Sequence, residues 1–431
     1  MKIISHIKIF VSILIFILYF KSGVSGQEPL YDMIFDKRIK TLQLYREGWN
    51  LCYPVIKLNG QERLFLNFDL LADIPESYYY TIIHCDKDWN ESSIFPSDYL
   101  TGFMDDQIQN YRSSFNTKVN YYHYSVVIPN EHISIKLSGN YVIKVYPTGE
   151  PGKPAFTKRF MVSEEIAGIK AYIQRPLPGE FYNTCQQVGL SVKITQISVR
   201  DPYNEIFTFI FRNGNFNEAK ENLKPDFVIG NELKFNTLSN TNIFYAGNEY
   251  RYFDIRSIHY TTEFVRKIDY VNGLYHFFLM PSDNREFKPY FFRQDFNGKY
   301  YVAVQEGRDM DTEADYAYVY FTLPSSNEIP GGKMYISGAL SNWSFTTENR
   351  MSYNYEKSHY EGTMLLKQGW YDYEYIFLKD GQKSAPPSFF EGNHYETEND
   401  YLILVYYRNP RERFDRLIGS AIANSSKKEN F

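Results

Sequence analysis

Apolar and polar residues alternate with a period of two through most of the chain, in short runs broken by Gly, Pro and Asn. In residues 76–84, Tyr78, Tyr80 and Ile82 alternate with Tyr79, Thr81 and Ile83, so both faces are apolar and the run predicts a sandwich-core strand. In 119–128, Tyr122, Tyr124, Val126 and Ile128 share one face until Pro129-Asn130 ends the run. Ser138-Gly139-Asn140 then turns into a strand over 141–146, and 156–162 closes the series. Strands at this spacing predict a first antiparallel sandwich of immunoglobulin-like type over 27–164. Further strands are expected over 170–174, 189–199, 205–211, 243–255, 274–280 and 299–304, forming a middle β-domain of 165–315. A strand over 316–323 opens a third sandwich of 316–409, and 410–431 reads as a C-terminal tail. No helical period of useful length and no short tandem repeat interrupts this pattern. The expected fold is all-β: tandem immunoglobulin-like, early-set antiparallel β-sandwich domains.

Composition reinforces the β reading. The 431 residues include 40 Tyr and 34 Phe, side chains that suit half-buried pleated surfaces. Hydrophobic residues at 43% and charged residues at 23% exclude a disordered chain or a polytopic membrane protein. Residues 1–26 read as a signal peptide: Lys2 and Lys8 precede an apolar run over 9–20, and Val24-Ser25-Gly26 offers a cleavage site before Gln27. That run is shorter than the ~20 residues a membrane span needs, so no direct membrane span is expected. Removing Lys2, Lys8 and Lys21 with the leader takes the net charge from −5 to −8, the wrong sign for a nucleic-acid partner. Cys52, Cys85 and Cys185 permit at most one internal disulfide, with all three pairings open.

Catalytic spacings are absent. The chain has no G-x-S-x-G, P-loop, G-x-G-x-x-G, H-E-x-x-H or C-x-x-C motif. Two clusters carry metal-binding residue types. His84-Cys85-Asp86-Lys87-Asp88-Trp89-Asn90 fails the calcium-loop template and lacks a second spaced pair for zinc, and predicts an Asx-type turn with Trp89 packed beneath. The acidic stretch Asp309, Asp311, Glu313 and Asp315 fails the same calcium template and predicts a solvated inter-domain linker. No catalytic, cofactor or metal residue is therefore nominated, and no cofactor is expected.

Met334-Tyr-Ile-Ser-Gly-Ala-Leu-Ser-Asn-Trp343, with the strand-forming stretch 371–377 and the turn Asp380-Gly381, resembles the glycogen-binding module family, an immunoglobulin-like sandwich. The resemblance implies that Trp343 occupies a sugar-stacking position, while Gln382-Lys383-Ser384 stands where a second stacking Trp would follow. Trp343 is thus either a sugar-stacking or a structural residue, and a sugar ligand is not expected. A wider set of stretches resembles the plug proteins of the type IX secretion system of Bacteroidota. They are His84-Cys85-Asp86-x-Asp88-Trp89, Tyr99-Leu-x-Gly102-Phe103, Ser114-Phe115-Asn116-Thr117, Tyr121 to Tyr124, Ser138-Gly-Asn-Tyr141, Arg159-Phe-Met-Val162, Glu391-Gly392-Asn393, Thr397-Glu398-Asn399-x-Tyr401 and Asp415-Arg-Leu-Ile-Gly419. This resemblance implies a non-enzymatic protein on the periplasmic side of the outer membrane. Its implied partner is the large outer-membrane β-barrel translocon, whose periplasmic mouth it closes when no cargo is present. It names no contact residue. The rival reading is an exported carbohydrate-binding protein that uses the C-terminal sandwich.

Overall fold

The computed structural model describes residues 30–235, 240–386 and 388–427, so the signal peptide expected at 1–26 lies outside the described residues. Strands dominate, and among the described residues no helix exceeds a single turn. The chain is all-β, built as tandem sandwiches of mainly antiparallel sheets.

In the first sandwich, one sheet runs in the order Met33–Ile34, Phe156–Ser163, Gly139–Pro147, Tyr78–Cys85, Asp105–Gln107, with Val55–Lys57 joining Phe156–Ser163 in parallel. The facing sheet runs Ile39–Arg46, Leu64–Leu70, Tyr122–Ile128, Asn110–Ser113. The period-two pattern delivers Leu66, Phe68 and Leu70 from one sheet and Tyr78, Tyr80 and Ile82 from the other into one core. Phe68 stacks on Tyr124 at 5.0 Å and meets Tyr78 edge-on at 5.5 Å. The many core tyrosines are tolerated because their hydroxyls reach the rim: Tyr124 donates to Glu76 O at 2.7 Å and Tyr141 to Leu137 O at 2.8 Å.

The sheets divide the remaining chain differently from the expected boundaries. In the second sandwich, Ala167–Gln174, Cys185–Ile194, Glu232–Phe235 and Phe227–Ile229 form one sheet, with Ile243–Tyr245 on Cys185–Ile194. Its facing sheet is Lys220–Leu223, Ile206–Arg212, Asp400–Tyr407 and Arg416–Asn424. Its last two strands therefore come from the end of the chain, and Ile403, Val405 and Ile418 share a core with Val188 and Ile210. Within the stretch expected to be a tail, Arg416–Asn424 is a strand whose Leu417 and Ile418 are fully buried.

The third sandwich is an insertion within the second. One sheet contains Arg251–Asp254, Gly369–Lys379, Tyr300–Val302 and Gly332–Ser337. The other runs Val265–Val271, Leu274–Leu279, Tyr316–Pro324, His359–Lys367, Ser352–Asn354. The strand expected over 243–255 is two strands in two sandwiches, separated by a crossing at 246–250. A boundary at 315/316 would cut the third core, which joins Phe253 and Phe277 to Phe321 and Met334. Periodicity predicts that a segment is a strand and which face is apolar, but the partner strand is chosen by long-range pairing that local sequence does not encode.

Candidate functional site

Most of the stretches that looked unusual in the sequence meet at the seams between the sandwiches, whereas Tyr99–Phe103 stays within the first. At the first–second seam, Asp86 Oδ1 accepts the backbone N–H groups of Asp88 and Asn90, each at 2.9 Å, making the expected Asx turn. Trp89 follows with φ +67° and is buried beneath that turn. Its ring lies 4.5 Å from the Arg159 guanidinium and edge-on to Phe216 at 5.6 Å. Met161, Phe209, Phe211, Leu404 and Tyr406 complete one apolar cluster drawn from both sandwiches. Burial of a Trp of roughly 200 Å² contributes about 5 kcal/mol before entropy is charged against it.

Polar contacts set the register of this seam. Tyr406 donates to Asn140 Oδ1 at 2.6 Å, and Lys87 N donates to Asp415 Oδ2 at 2.9 Å. Arg416 pairs with Glu164 at 2.5 Å, while Glu164 N and Ile166 N both donate to carbonyls of Leu417 and Ile418 at 2.9 Å. Gly139, at φ +139°, is required here: a Cβ would lie 2.7 Å from His84 Nε2 and 3.1 Å from Asp415 O. His84 donates from Nε2 to Ser138 O at 3.2 Å, which leaves Nδ1 to accept from Ser92 at 2.8 Å. Burial pushes its pKa down to about 4, so the imidazole is neutral at physiological pH and serves structure rather than proton transfer.

The first–third seam is built on a fully buried charge. Asp69, 0% exposed, binds Lys367 Nζ at 2.7 Å, Tyr316 OH at 2.7 Å and His123 Nδ1 at 2.7 Å. Tyr316 in turn accepts from Thr41 Oγ1 at 2.6 Å. Lys367 also donates to Asp311 O at 2.7 Å and lies 4.1 Å from the Tyr121 ring centre. Burial alone would raise the carboxyl pKa of Asp69, but Lys367 and His123 outweigh it and hold the group below its ordinary 3.8.

The acidic stretch 309–315 was expected to be a solvated linker. It is instead the element that docks the third sandwich on the first. Asp315 is buried and accepts Lys118 N at 2.7 Å, Val119 N at 3.1 Å and Tyr316 N at 2.9 Å. Phe115 N donates to Thr312 O at 2.8 Å, Tyr121 OH to Ala314 O at 2.8 Å, and Arg112 pairs with both Asp309 and Asp311. Acidic composition misled because the complementary N–H groups lie some 200 residues earlier in the chain.

Two crossings join the second and third sandwiches, and both are clamped. Asn399 donates to Gln186 Oε1 at 3.1 Å and Ala246 O at 2.9 Å while accepting from Asn213 at 2.7 Å. Thr397 Oγ1 donates to Gly247 O, and Gly247 N to Asn393 Oδ1, each at 2.9 Å. Glu391, 1% exposed, binds Arg251 at 2.9 Å and Arg285 at 2.5 Å. Burial opposes its ionisation, yet the two arginines bring its pKa down to about 2.

Where the three sandwiches meet, a cavity of about 490 Å³ is lined by Tyr53, Phe211, Phe216, Lys299 and Trp343 among others. Trp343 is half-buried, with φ +55° and its ring over Gly298, where a Cβ would come within 2.4 Å of it. It stands edge-on to Tyr250 at 6.0 Å, and its carbonyl accepts from Asn217 of the second sandwich at 2.8 Å. Gln382 and Lys383 line the same cavity. Cys52, Cys85 and Cys185 are free thiols. Among the described residues, no three His, Cys, Asp or Glu side chains converge on a metal position, and no helix is long and apolar enough to cross a membrane. Sequence reasoning missed Asp69 and Lys367, which carry no motif, and it missed the exposed aromatic loop described below.

Residues 39–164 match the family described as type 9 secretion system plug protein, first domain. Over most of its length the chain is similar to a hypothetical protein from Parabacteroides merdae ATCC 43184 whose crystal structure is known. The two are 33% identical with a TM-score of 0.89, covering 92% of this chain and 100% of that one. No curated protein matches the chain.

Proposed function

We propose a function from one premise: the chain belongs to the family of the Parabacteroides merdae protein, and its first sandwich is the first domain of the type 9 secretion system plug proteins. Its role therefore lies in type IX secretion, in a family of secretion-system components with a periplasmic or envelope-associated place in the cell. On our reading, the protein is a non-enzymatic plug subunit. It sits at the inner face of the outer membrane, binds the periplasmic mouth of the β-barrel translocon and closes it when no cargo is present.

The observation that carries this reading is the plug-domain match over 39–164. The geometry supports it. A stopper must resist being deformed or threaded, and three sandwiches locked by Asp69–Lys367, Glu164–Arg416 and the buried Trp89 cluster behave as one body rather than as beads on linkers. The place of Trp343 in the junction, with its ring over Gly298 and its carbonyl held by Asn217, supports a structural role for it over sugar stacking. The test is affinity capture with the tagged mature protein from detergent-solubilised outer membranes, followed by mass spectrometry. The expected result is a very large β-barrel in near-equal amount. Recovery of no barrel, with the protein retained on glucan beads instead, would sink the plug reading.

A further inference from the structure

Between Leu274–Leu279 and Tyr300–Val302, residues 280–299 run without strand or helix. A connection far longer than the usual ~4–6 residues marks a loop kept for a task. Both ends of this one are fixed. Met280 N donates to Phe264 O at 2.7 Å, the Ser282 hydroxyl lies 3.0 Å from that of Tyr375, and Arg285 binds buried Glu391. On the return, the Arg293 guanidinium lies 4.9 Å from the Phe264 ring centre, and Asp295 accepts Tyr250 N at 2.5 Å. Between these anchors Phe287, Phe291 and Phe292 stand 89%, 76% and 55% exposed. A benzyl side chain has nothing to offer water, so three of them presented on a pinned loop form a contact surface awaiting its partner.

The surroundings of the rings indicate what that partner is. Lys288 pairs with Asp283 at 2.7 Å and Arg293 with Glu263 at 3.2 Å, so the basic side chains beside the rings are neutralised by ion pairs. A neutral segment gains nothing from an anionic bilayer surface, whereas apolar anchors rimmed by charges of both signs match the anatomy of a protein interface. At roughly 200 Å² per ring, the exposed part of the three phenylalanines offers about 450 Å². That is about half of the ~800 Å² each partner contributes to a stable complex, the right size for its apolar centre. We infer that the 286–293 loop is the anchor that seats this protein in an apolar recess at the periplasmic rim of the translocon barrel. The inference rests on the plug reading and names the surface that reading uses.

The experiment compares tagged mature protein with its F287S/F291S/F292S and F287S variants in capture from detergent-solubilised outer membranes. Thermal unfolding of each variant is followed alongside. Tyr355→Ser, at another exposed aromatic of the third sandwich (74%), serves as control. The expected result is capture of the barrel by the parent and by Tyr355→Ser. The triple variant should bind about 100-fold more weakly or worse with its Tm unchanged, and F287S should fall between. Equal capture by parent and triple variant would overturn this inference while leaving the plug reading standing. Capture of no barrel by the parent would remove the plug reading and this inference with it. Flotation of the parent, and not the triple variant, with phosphatidylethanolamine–phosphatidylglycerol vesicles would make the loop's partner lipid and overturn the inference from the other side.

Discussion

Lys367→Met removes the only strong cation facing a carboxylate that water cannot reach. The pair is 2.7 Å apart, with side chains 1% and 0% exposed, and the carboxylate is shared by strands of two sandwiches through Tyr316 and His123. Breaking one side of such a pair leaves a buried charge uncompensated and costs about 3–5 kcal/mol, far more than the 0–1 kcal/mol of a surface pair. Asp69→Asn should cost a similar amount, because Lys367 then keeps the Asp311 carbonyl and the Tyr121 and Tyr316 rings but no carboxylate. Removing both charges should cost clearly less than the two single losses added together. The assay is denaturant unfolding of the mature chain in a double-mutant cycle at pH 7. Acid behaviour gives a second readout. The pKa of Asp69 lies below its ordinary 3.8 when folded, so its stabilisation is present above that value and lost as pH falls through the folded pKa. In Lys367→Met the folded pKa rises, because Lys367 no longer opposes the effect of burial, so the acid loss carried by Asp69 should shrink or reverse and the gap between variant and parent should narrow as pH falls. Either single variant lying within about 1 kcal/mol of the parent, or strict additivity of the two, would refute the reasoning.

Three further outcomes follow from the seams. Gly139→Ala places a Cβ 2.7 Å from His84 Nε2 at a φ of +139°, and should destabilise the first–second seam by about 2–4 kcal/mol, read as a lower Tm and faster proteolysis. Burial, only partly offset by Arg212, raises the pKa of Glu374 to about 8. A raised acid gives stability that is full below the unfolded pKa near 4.5 and falls as pH rises through 8, so Glu374→Gln should flatten the Tm between pH 5 and 9, and an unchanged alkaline decline would contradict this. Trp343→Ala should lower stability by about 1–3 kcal/mol, because its ring fills the junction beside Gly298 and Tyr250, and should leave mobility in glucan affinity gels unaltered. Strong retardation of the parent in those gels, lost in the variant, would restore the sugar-stacking reading.

How much of this was legible beforehand varies by residue. The strands Tyr78–Cys85 and Phe156–Ser163 could be read because alternation of side chains across a pleat is a local property. The Asx turn at Asp86 could be read for the same reason, since its donors are two and four residues away. Asp69 could not, as a lone carboxylate in an apolar strand becomes a site only when Lys367 arrives from 298 residues later. Nor could Phe287, Phe291 and Phe292, because an apolar residue in a loop reads equally as buried or exposed until the neighbouring core is seen to be full.

The sequence by itself determined the all-β class, the places of most strands and their inward faces, because period and turn chemistry act over a few residues. It also carried enough unusual local patterns to resemble the plug family, and most of those patterns, from His84–Trp89 to Asp415–Gly419, lie at the seams. Only the tertiary structure decided that the chain leaves the second sandwich at 246–250, builds the third, and returns through Asp400–Tyr407 and Arg416–Asn424 to complete it. Strand pairing across some 190 residues is settled by which edge offers free N–H and C=O groups beside a matching apolar face. That choice belongs to the whole fold and is written in no single segment.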